Sequence, residues 1–440
     1  MASAPPIEEM ISSAPPVDPA SELFRPSPPE TIRETGLSET LIEGIICRYL
    51  FAFGAEQGRR IANELAMPPK GVIQLLQGLK SQQLVVYKDS GSMGDFTYTL
   101  TEAGRERAKK YLEETNYIGP APVVLEEYIA SVHKQTITAE SPTRPDLENA
   151  FNDLLINDGM YDILGPAVTS GRGMFLYGFP GNGKTSIAER ITAAFQTPIW
   201  IPHAVFADGQ IIKIFDPGIH KVLERFNPNS LKLADQSDPR WLKIKRPTVV
   251  AGGELTMDAL EIEFNAETKI SEAPLQLKSN GGTLVIDDFG RQRMPVDELL
   301  NRWIVPLEKR YDYLTLATGK KIKVPFDQLI IFSTNLEPRD LVDEAFLRRI
   351  PYKINVTDPS EEEFRRLFEM FTERLGFDWQ PYVIDYLIDE HYRPINRPFR
   401  CCHPRDLLLQ VKNICLYNEV DLELKPEYFD QAVLIYFSVM

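Results

Sequence analysis

The chain has few of the residues that build disulfide frameworks or cysteine–histidine metal sites. Its 440 residues include only four cysteines and five histidines. The cysteines are Cys47, the adjacent pair Cys401 and Cys402, and Cys415, and their spacing does not match that of metal ligands. We therefore expect reduced, mostly buried thiols.

Long apolar runs and an excess of positive charge are also lacking. The most apolar stretch, 41–55, is interrupted by Glu43 and Arg48, and the N-terminus lacks the basic-then-apolar layout of a signal peptide. The chain carries 48 basic and 63 acidic residues, a net charge of −15, so it has no general attraction for nucleic acid or anionic membranes. These absences predict a cytoplasmic protein with no membrane insertion.

The length predicts two or three domains, and composition separates the first segments. Residues 1–35 contain eight prolines and almost no apolar periodicity, which predicts a disordered tail. Residues 36–117 then show three helical patterns, two strand patterns and a charged helix. This order resembles the winged-helix family.

The charge of the winged-helix-like segment bears on its partner. Residues 36–115 contain ten basic and ten acidic residues, whereas a dedicated DNA reader normally has a basic face. The balance favours a module that binds protein, and DNA binding stays open as the alternative.

A phosphate-binding loop is the most specific motif of the chain. The pattern G-x-x-x-x-G-K-T extends from Gly178 to Thr185, after the apolar run 174–177 and before the helical pattern 186–191. Glycines let backbone N–H groups turn toward phosphate oxygens, and the helix directs its positive end to the same place. The candidate binding residues are Gly178, Pro180, Gly181, Asn182, Gly183, Lys184, Thr185 and Ser186. The motif predicts a nucleoside triphosphate and Mg²⁺ as ligands, with Lys184 on the β- and γ-phosphates and the Thr185 hydroxyl on the metal.

Two later strand patterns end in polar side chains. Residues 283–286 lead into Asp287 and Asp288, and residues 329–334 lead into Asn335. A carboxylate at the end of a strand can hold Mg²⁺, and the next carboxylate can orient the attacking water. Because strand ends converge on one crevice in an open parallel sheet, Asn335 is expected near the γ-phosphate.

Two further motifs complete an ordered set. Residues 343–350 end a helical pattern with Arg348 and Arg349, and His403-Pro404-Arg405 begins a helix near the C-terminus. The order of these motifs resembles the AAA+ ATPase superfamily over about residues 145–435. The resemblance implies an α/β fold: a P-loop αβα core with a parallel sheet over 146–356 and a helical lid over 357–440. An α+β winged-helix domain would precede this core, with 118–145 as a linker.

The resemblance also implies a role for each motif. Thr185 and Asp287 would hold the metal, Asn335 would be sensor 1, Arg405 would be sensor 2, and Arg348 or Arg349 would be the arginine finger. A guanidinium stabilises the negative charge that develops on the γ-phosphate oxygens during transfer. The expected catalytic residues are Asp288, Asn335, Arg348, Arg349 and Arg405. The family works as a homo-oligomeric ring, commonly a hexamer, with ATP between neighbouring subunits.

Asp288 departs from the family pattern, in which glutamate usually follows the magnesium-side acid. Its carboxylate sits one methylene further back, so hydrolysis would be slow or the water would be held differently. Residues Ile163 and Leu164, before the P-loop strand, are candidates for packing on adenine, with a place in the apolar core as the equal alternative.

The sequence as a whole predicts an ATP-hydrolysing AAA+ protein that remodels or assembles a macromolecular partner, with a protein favoured. The alternative is an ATP-switched transcription regulator that binds DNA through the winged helix. Between the P-loop helix and Asp287 lie about ninety residues, which include a predicted hairpin over 205–214 with an Asp-Gly turn.

Overall fold

The computed structural model of the chain describes residues 24–90, 95–224 and 237–438. The greater part of the predicted disordered tail, residues 1–23, lies outside these ranges. Residues 24–35 belong to the folded structure, contrary to the expectation for the tail. Ile32 is buried in the core of the N-terminal unit, and the Phe24 ring packs edge-on against Trp241. These two apolar side chains hold the segment 24–35 against the folded chain, which the high proline content of residues 1–35 did not indicate.

The N-terminal unit contains the predicted helices and strands in the predicted order, with one short strand added. The elements are α1 Glu39–Phe53, β1 Glu56–Gln57, α2 Gly58–Glu64, α3 Pro69–Ser81, β2 Val85–Ser90, β3 Phe96–Leu100 and α4 Glu102–Glu114. The strands form an antiparallel sheet in the order β1-β3-β2. The Ser38 hydroxyl caps α1 by accepting a hydrogen bond from the Leu41 N–H, and α1 buries Ile42, Ile45 and Ile46 in the core.

The segment 118–145 is structured, although the sequence led us to expect a linker. It contains β4 Val123–Val124 and α5 Leu125–Lys134. The Tyr128 side chain on α5 is buried, and its hydroxyl accepts a hydrogen bond from Asn280 at 3.0 Å. Burial of α5 against a sheet elsewhere in the chain therefore joins the N-terminal unit to the rest of the structure.

A five-stranded parallel sheet forms the centre of the core. The elements from α6 to β18 are α6 Arg144–Ala150, α7 Asp158–Thr169, β5 Met174–Tyr177, α8 Lys184–Ile191, β6 Ile199–Pro202, β7 Ala204–Ala207, β8 Gln210–Lys213, β9 Val222–Glu224, β10 Trp241–Ile244, β11 Thr248–Ala251, β12 Glu263–Asn265, β13 Ile270–Glu272, α9 Leu275–Lys278, β14 Thr283–Ile286, α10 Val296–Lys309, β15 Tyr311–Thr315, β16 Lys321–Pro325, β17 Leu329–Thr334, α11 Pro338–Leu341, α12 Glu344–Leu347 and β18 Tyr352–Asn355. The central sheet has the order β11-β14-β17-β5-β18, and every neighbouring pair is parallel. All residues of β14 and β17 are buried, as expected for strands covered on both faces.

The residues inserted between α8 and β14 build further sheets beside the central one. One has the order β12-β13-β8-β7-β4 and another β6-β10-β9. The predicted hairpin is confirmed as β7 and β8, which pair antiparallel around Asp208 and Gly209 with φ of 46° and 85°. Positive φ at both central residues is the geometry that an Asp-Gly turn favours.

Four helices form the C-terminal lid: α13 Glu361–Leu375, α14 Pro381–His391, α15 Cys402–Tyr417 and α16 Pro426–Tyr436. Ser360 and Glu363 form a capping box at the start of α13, and the helices enclose a core that includes Phe364, Leu407 and Phe429. The expected α/β fold class with a parallel-sheet core is thus confirmed. None of the helices in the described part of the chain is long and apolar enough to cross a bilayer.

Two helical glycines allow a matched test of packing in the N-terminal unit. A Cβ on Gly104 would lie 1.9 Å from the Leu84 carbonyl oxygen, whereas a Cβ on Gly78 would have no atom within 4 Å. We expect Gly104→Ala to destabilise the protein by about 1–3 kcal/mol through overpacking. Gly78→Ala should stabilise it by about 0.5–1 kcal/mol because alanine favours the helix. Urea denaturation of the intact chain measures both, and a shift of the two variants in the same direction would contradict this packing.

Candidate active site

The register of three neighbouring strands brings the predicted site residues to one edge of the sheet. Ile286 at the end of β14 lies opposite Phe332 of β17, and Thr334 at the end of β17 lies opposite Tyr177 of β5. Because the strands are parallel, the residues that follow them emerge together at the carboxyl edge. The phosphate-binding loop, the paired acids and Asn335 therefore meet there.

The backbone of the predicted loop is shaped to receive an anion. Gly178, Gly181 and Gly183 have φ of 136°, 88° and 81°, which side chains other than glycine rarely adopt. The backbone N–H groups of residues 181–186 donate to no acceptor in the described part of the chain. Since α8 begins at Lys184, its positive end is directed to the same place, and the loop offers several unpaired donors to a phosphate.

Lys184 is a buried cation with three hydrogen-bond acceptors. Its Nζ donates to the carbonyl oxygens of Gly178 and Phe179 at 3.0 and 2.9 Å and to Asn335 Oδ1 at 2.7 Å. Burial lowers the pKa of the Lys184 ammonium, while the nearby carboxylates of Asp287 and Asp288 act in the opposite direction. The geometry fixes the ammonium at the mouth of the loop.

Asn335 connects the lysine to the second acid. Its Oδ1 accepts the hydrogen bond from Lys184, and its Nδ2 donates to Asp288 Oδ1 at 3.4 Å. The amide thus lies between a cation that can bind phosphate and a carboxylate that can accept a proton or orient water. This is the place that the sequence predicted for sensor 1.

Thr185 and Asp287 form a pair of oxygen donors beside the loop. The Thr185 hydroxyl lies 3.1 and 3.0 Å from the two carboxylate oxygens of Asp287. Hydroxyl and carboxylate oxygens are hard ligands, and Mg²⁺ is usually held by one or two of them together with phosphate oxygens and water. No group of three or more histidine, cysteine or acidic side chains forms a metal cage among residues 24–90, 95–224 and 237–438. The pair therefore fits Mg²⁺ that arrives with a nucleotide.

The backbone conformation of Asp288 explains why this position holds aspartate and not glutamate. Its φ is 49°, in the left-handed region that glutamate rarely occupies and that aspartate and asparagine tolerate better. The residue follows the end of β14 at a turn, where the Arg291 N–H donates to the Asp288 carbonyl oxygen. The shorter acid at this position is thus favoured by the local backbone.

A cleft of about 470 Å³ lies between the loop and the lid. The predicted residues that line it are Pro180, Gly181, Asn182, Gly183, Lys184, Thr185, Ser186, Asp287, Asp288, Asn335 and Arg405. Arg405 reaches the cleft from α15, and its guanidinium pairs with the adjacent Asp406 at 2.8 Å. The structure therefore brings together the loop, Asp287, Asp288, Asn335 and Arg405.

The apolar wall of the cleft comes from residues that sequence reasoning missed. They are Leu154, Leu155 and Ile156 before α7, and Leu367, Met370 and Phe371 on α13. The expectation for Ile163 and Leu164 was wrong, because Leu164 is buried in the core and Ile163 is exposed on α7, outside the cleft. The helical spacing of 367, 370 and 371 was the available signal, but it is equally typical of a core face.

The lid is bonded directly to the phosphate-binding loop. The Cys402 N–H donates to the Gly181 carbonyl oxygen at 2.9 Å, and Asn182 Nδ2 donates to Asp358 Oδ1 at 2.7 Å. Arg400 forms an ion pair with the same Asp358 carboxylate and lies 4.4 Å above the Phe179 ring. A movement of the loop backbone would therefore act directly on Asp358 and Cys402, at the start of the lid and of α15.

Arg348 and Arg349 lie away from the cleft. They line a separate cavity of about 630 Å³ with residues 171–173 and Gln328, which precede β5 and β17. This is the amino edge of the sheet, opposite to the loop. Arg349 pairs with Glu308 at 3.3 Å. The structure does not bring these arginines to the site of their own chain.

Comparisons with known proteins match parts of the chain. A family model described as "Domain of unknown function (DUF8689)" matches residues 360–434, which correspond to the lid helices. The uncharacterized protein ORF529 of Acidianus two-tailed virus is 26% identical over 206 residues, which are 47% of this chain and 30% of that protein. The chain therefore covers about a third of the length of that viral relative.

Two solved structures share part of the architecture. NtrX from Brucella abortus is 13% identical, with a TM-score of 0.40 over 64% of this chain and 56% of that one. A point mutant of RuvB from Thermotoga maritima is 11% identical, with a TM-score of 0.39 over 64% of this chain and 71% of that one.

The left-handed backbone at Asp288 predicts opposite outcomes for two substitutions. Asp288→Glu should lower stability by about 1–2 kcal/mol because the longer residue is strained at this φ. Asp288→Asn should leave stability unchanged, since asparagine tolerates the left-handed region well. Thermal melting measures both, with Asp297→Glu on the exposed face of α10 as the matched control. Equal melting temperatures for Asp288→Glu and Asp297→Glu would contradict the strain argument.

Proposed function

We propose that the chain is a Mg²⁺-dependent ATPase of the AAA+ type. The observation that carries the proposal is the line of contacts from Lys184 through Asn335 to Asp288, beside a loop whose N–H groups are unpaired. The Lys184 ammonium, the Asn335 amide and the Asp288 carboxylate lie next to one another in space, at the place where a γ-phosphate and its attacking water would lie. A loop with only a structural role, connecting β5 to α8, would not require these contacts between Lys184, Asn335 and Asp288.

The residues divide the work of binding and hydrolysis. The N–H groups of residues 181–186 and the Lys184 ammonium would bind the phosphates, with Lys184 exchanging its carbonyl acceptors for phosphate oxygens. Thr185 and Asp287 would hold Mg²⁺, which when bound neutralises charge on the phosphate oxygens. Asp288 would accept a hydrogen bond from water in line with the γ-phosphate, and Asn335 would fix the position of that water.

The remaining contacts support ATP as the ligand of the cleft. The apolar wall formed by Leu155, Ile156 and Phe371 would provide a surface for adenine, and Arg405 on α15 would lie on the lid side of the phosphates. Because the lid is bonded to the loop through Asp358 and Cys402, loss of the γ-phosphate would alter the contact between lid and core. Conformational change of this kind is how we propose that the protein remodels or assembles a macromolecular partner.

The position of the arginine pair supports action between subunits. Arg348 and Arg349 lie at the amino edge of the sheet and cannot serve the cleft of their own chain. We infer that one of them reaches the γ-phosphate of a neighbouring copy in a homo-oligomeric ring. The N-terminal unit, with its winged-helix-like order of elements, would be the docking module for a protein partner.

Loss of the loop cation tests nucleotide binding. Lys184→Ala should weaken ATP binding by at least about tenfold, because charge-assisted hydrogen bonds to the phosphates are lost. Titration with ATP and Mg²⁺ measures the affinity, and Lys320→Ala on the exposed turn between β15 and β16 is the control. An affinity within about threefold of the unsubstituted protein would overturn the assignment of the site.

Removal of the arginines tests action between subunits. Arg348→Ala and Arg349→Ala should leave ATP binding nearly intact, and at least one of them should lower turnover about a hundredfold or more, because a finger acts on transition-state charge. Mixing the more impaired variant with Lys184→Ala protein, which retains both arginines, should restore part of the activity.

The control for the mixing experiment is Arg366→Ala, which replaces an exposed arginine of the lid and should not lower turnover. Turnover per subunit that is independent of concentration down to a demonstrated monomer, with no recovery in any mixture, would show that the chain acts alone.

A further inference from the structure

Arg48 is a buried cation that forms no ion pair with a carboxylate of the described residues. The side chain is 2% exposed on α1, and its Nε donates to the Tyr117 carbonyl oxygen at 3.0 Å. Its Nη2 is buried and has no hydrogen-bond partner among the described residues. Burial lowers the pKa of the guanidinium to about 10, and the largest opposing influence is the charge of Glu114. A buried charge in this state is costly unless something compensates it.

Other buried arginines in the described ranges are compensated. Arg240 forms a bidentate pair with the buried Asp238, with distances of 3.0 and 2.7 Å to the same carboxylate oxygen. Arg246 pairs with Glu140 at 3.2 Å and also donates to the Gly281 carbonyl oxygen. Arg240 and Arg246 thus each pair with a carboxylate, and Arg240 also keeps one buried nitrogen, Nη1, without a hydrogen-bond partner among the described residues. Within the same residues, Arg48 has only the uncharged Tyr117 carbonyl oxygen as its acceptor.

The guanidinium of Arg48 borders a cavity between the N-terminal unit and the core. Gly44, one turn earlier on α1, makes room for it, since a Cβ there would lie 3.3 Å from an Arg48 Nη atom. Both residues line a cavity of about 630 Å³. Its walls come from α1 and α4 on one side and from β8, β12, β13 and the turn between β15 and β16 on the other.

The charge inside the cavity is positive, although the chain as a whole is acidic. Its lining includes Arg48, Arg107, Lys110 and Lys269, against the single acid Glu114. Lys269 donates to the Leu112 carbonyl oxygen at 3.2 Å, and Arg107 donates to the Tyr111 hydroxyl at 3.3 Å. Outside the lining, Glu43 is the acid whose charge acts on Arg107.

We propose that this cavity binds a small phosphorylated anion that bridges the N-terminal unit and the core. Several cations around a space of this size, with a buried guanidinium at its edge, match the charge and the many acceptor oxygens of a phosphate group. Hydroxyl groups from Thr40, Thr115 and Ser271 in the lining can donate to the remaining oxygens.

The bridging position gives the ligand a structural consequence. Arg48, Arg107 and Lys110 belong to the N-terminal unit, whereas Lys269 belongs to the inserted sheet. Without an anion these cations repel one another across the cavity, and with one they are drawn together. Binding should therefore hold the N-terminal unit more firmly against the core and raise the melting temperature.

The test uses the full chain with Lys184→Ala as a common background and pyrophosphate as the probe, followed by calorimetry and thermal melting. Because every variant has the same phosphate-binding loop, any affinity that this loop retains is the same in all of them. Arg48→Met and Arg107→Met should each weaken binding about tenfold or more and reduce the pyrophosphate-dependent rise in melting temperature. Arg105→Met, an exposed arginine of the same helix α4 outside the cavity lining, should change neither.

A second readout separates ligand binding from a merely structural role of Arg48. Without pyrophosphate, Arg48→Met should melt at the same or a higher temperature than its parent, because methionine removes an uncompensated buried charge. The proposal is overturned if Arg107→Met and Arg105→Met bind pyrophosphate equally well. It is also overturned if malonate, a dicarboxylate, binds the parent protein more tightly than pyrophosphate does.

Discussion

The parallel register of β14, β17 and β5 is the constraint on which the rest of the site depends. It fixes three chain segments at the same edge of the sheet, within reach of one another's side chains. The strands are buried on both faces, so a one-residue slip would exchange side chains between two closely packed faces and is opposed by the resulting misfit. The rigid part of the molecule therefore sets the distances between Lys184, Asn335 and Asp288, and the loops only add the backbone donors.

The conformation of Gly181 determines how closely the lid approaches the loop. Gly181 has a positive φ, and the space where its Cβ would lie is occupied by the Cys402 sulfur at 2.6 Å. The absence of a side chain thus allows α15 to approach the loop closely enough for the Cys402 N–H to bond to the Gly181 carbonyl oxygen. The same glycine that lets the loop turn around phosphate also lets the lid contact it. The proposed binding of phosphate and the position of the lid would both depend on the backbone at Gly181, which is a physical basis for coupling them.

The sequence could predict those parts of the fold and site that depend on short-range patterns. The loop, the paired acids, Asn335 and the Asp208-Gly209 turn follow from local spacing and backbone preference, whereas Arg405 was expected at the site only because the order of the motifs resembles the AAA+ superfamily. The ordered segments 24–35 and 118–145 could not be predicted, because a few apolar anchors such as Ile32 and Tyr128 find partners far away in the chain. The apolar wall of the cleft could not be predicted for the same reason, since Leu155 and Phe371 are distant in the sequence and come together only when the lid packs on the core. The conformation of Asp288 is set by the turn that follows β14, which its side chain alone does not reveal.

The inserted sheet connects the N-terminal unit to Asp287 and Asp288 by a short route. The Asn116 N–H donates to the Thr268 carbonyl oxygen at 3.2 Å, and the next residue, Lys269, bonds back to Leu112. From there the chain passes through β13 and α9 into β14, which ends at Ile286, directly before Asp287. Packing of Ala273 and Leu277 against Leu314 and Val324 fixes this route to the rest of the core. A displacement of the N-terminal unit that keeps the bonds at 268 and 269 would therefore also act on β13, which precedes α9 and β14 in the chain.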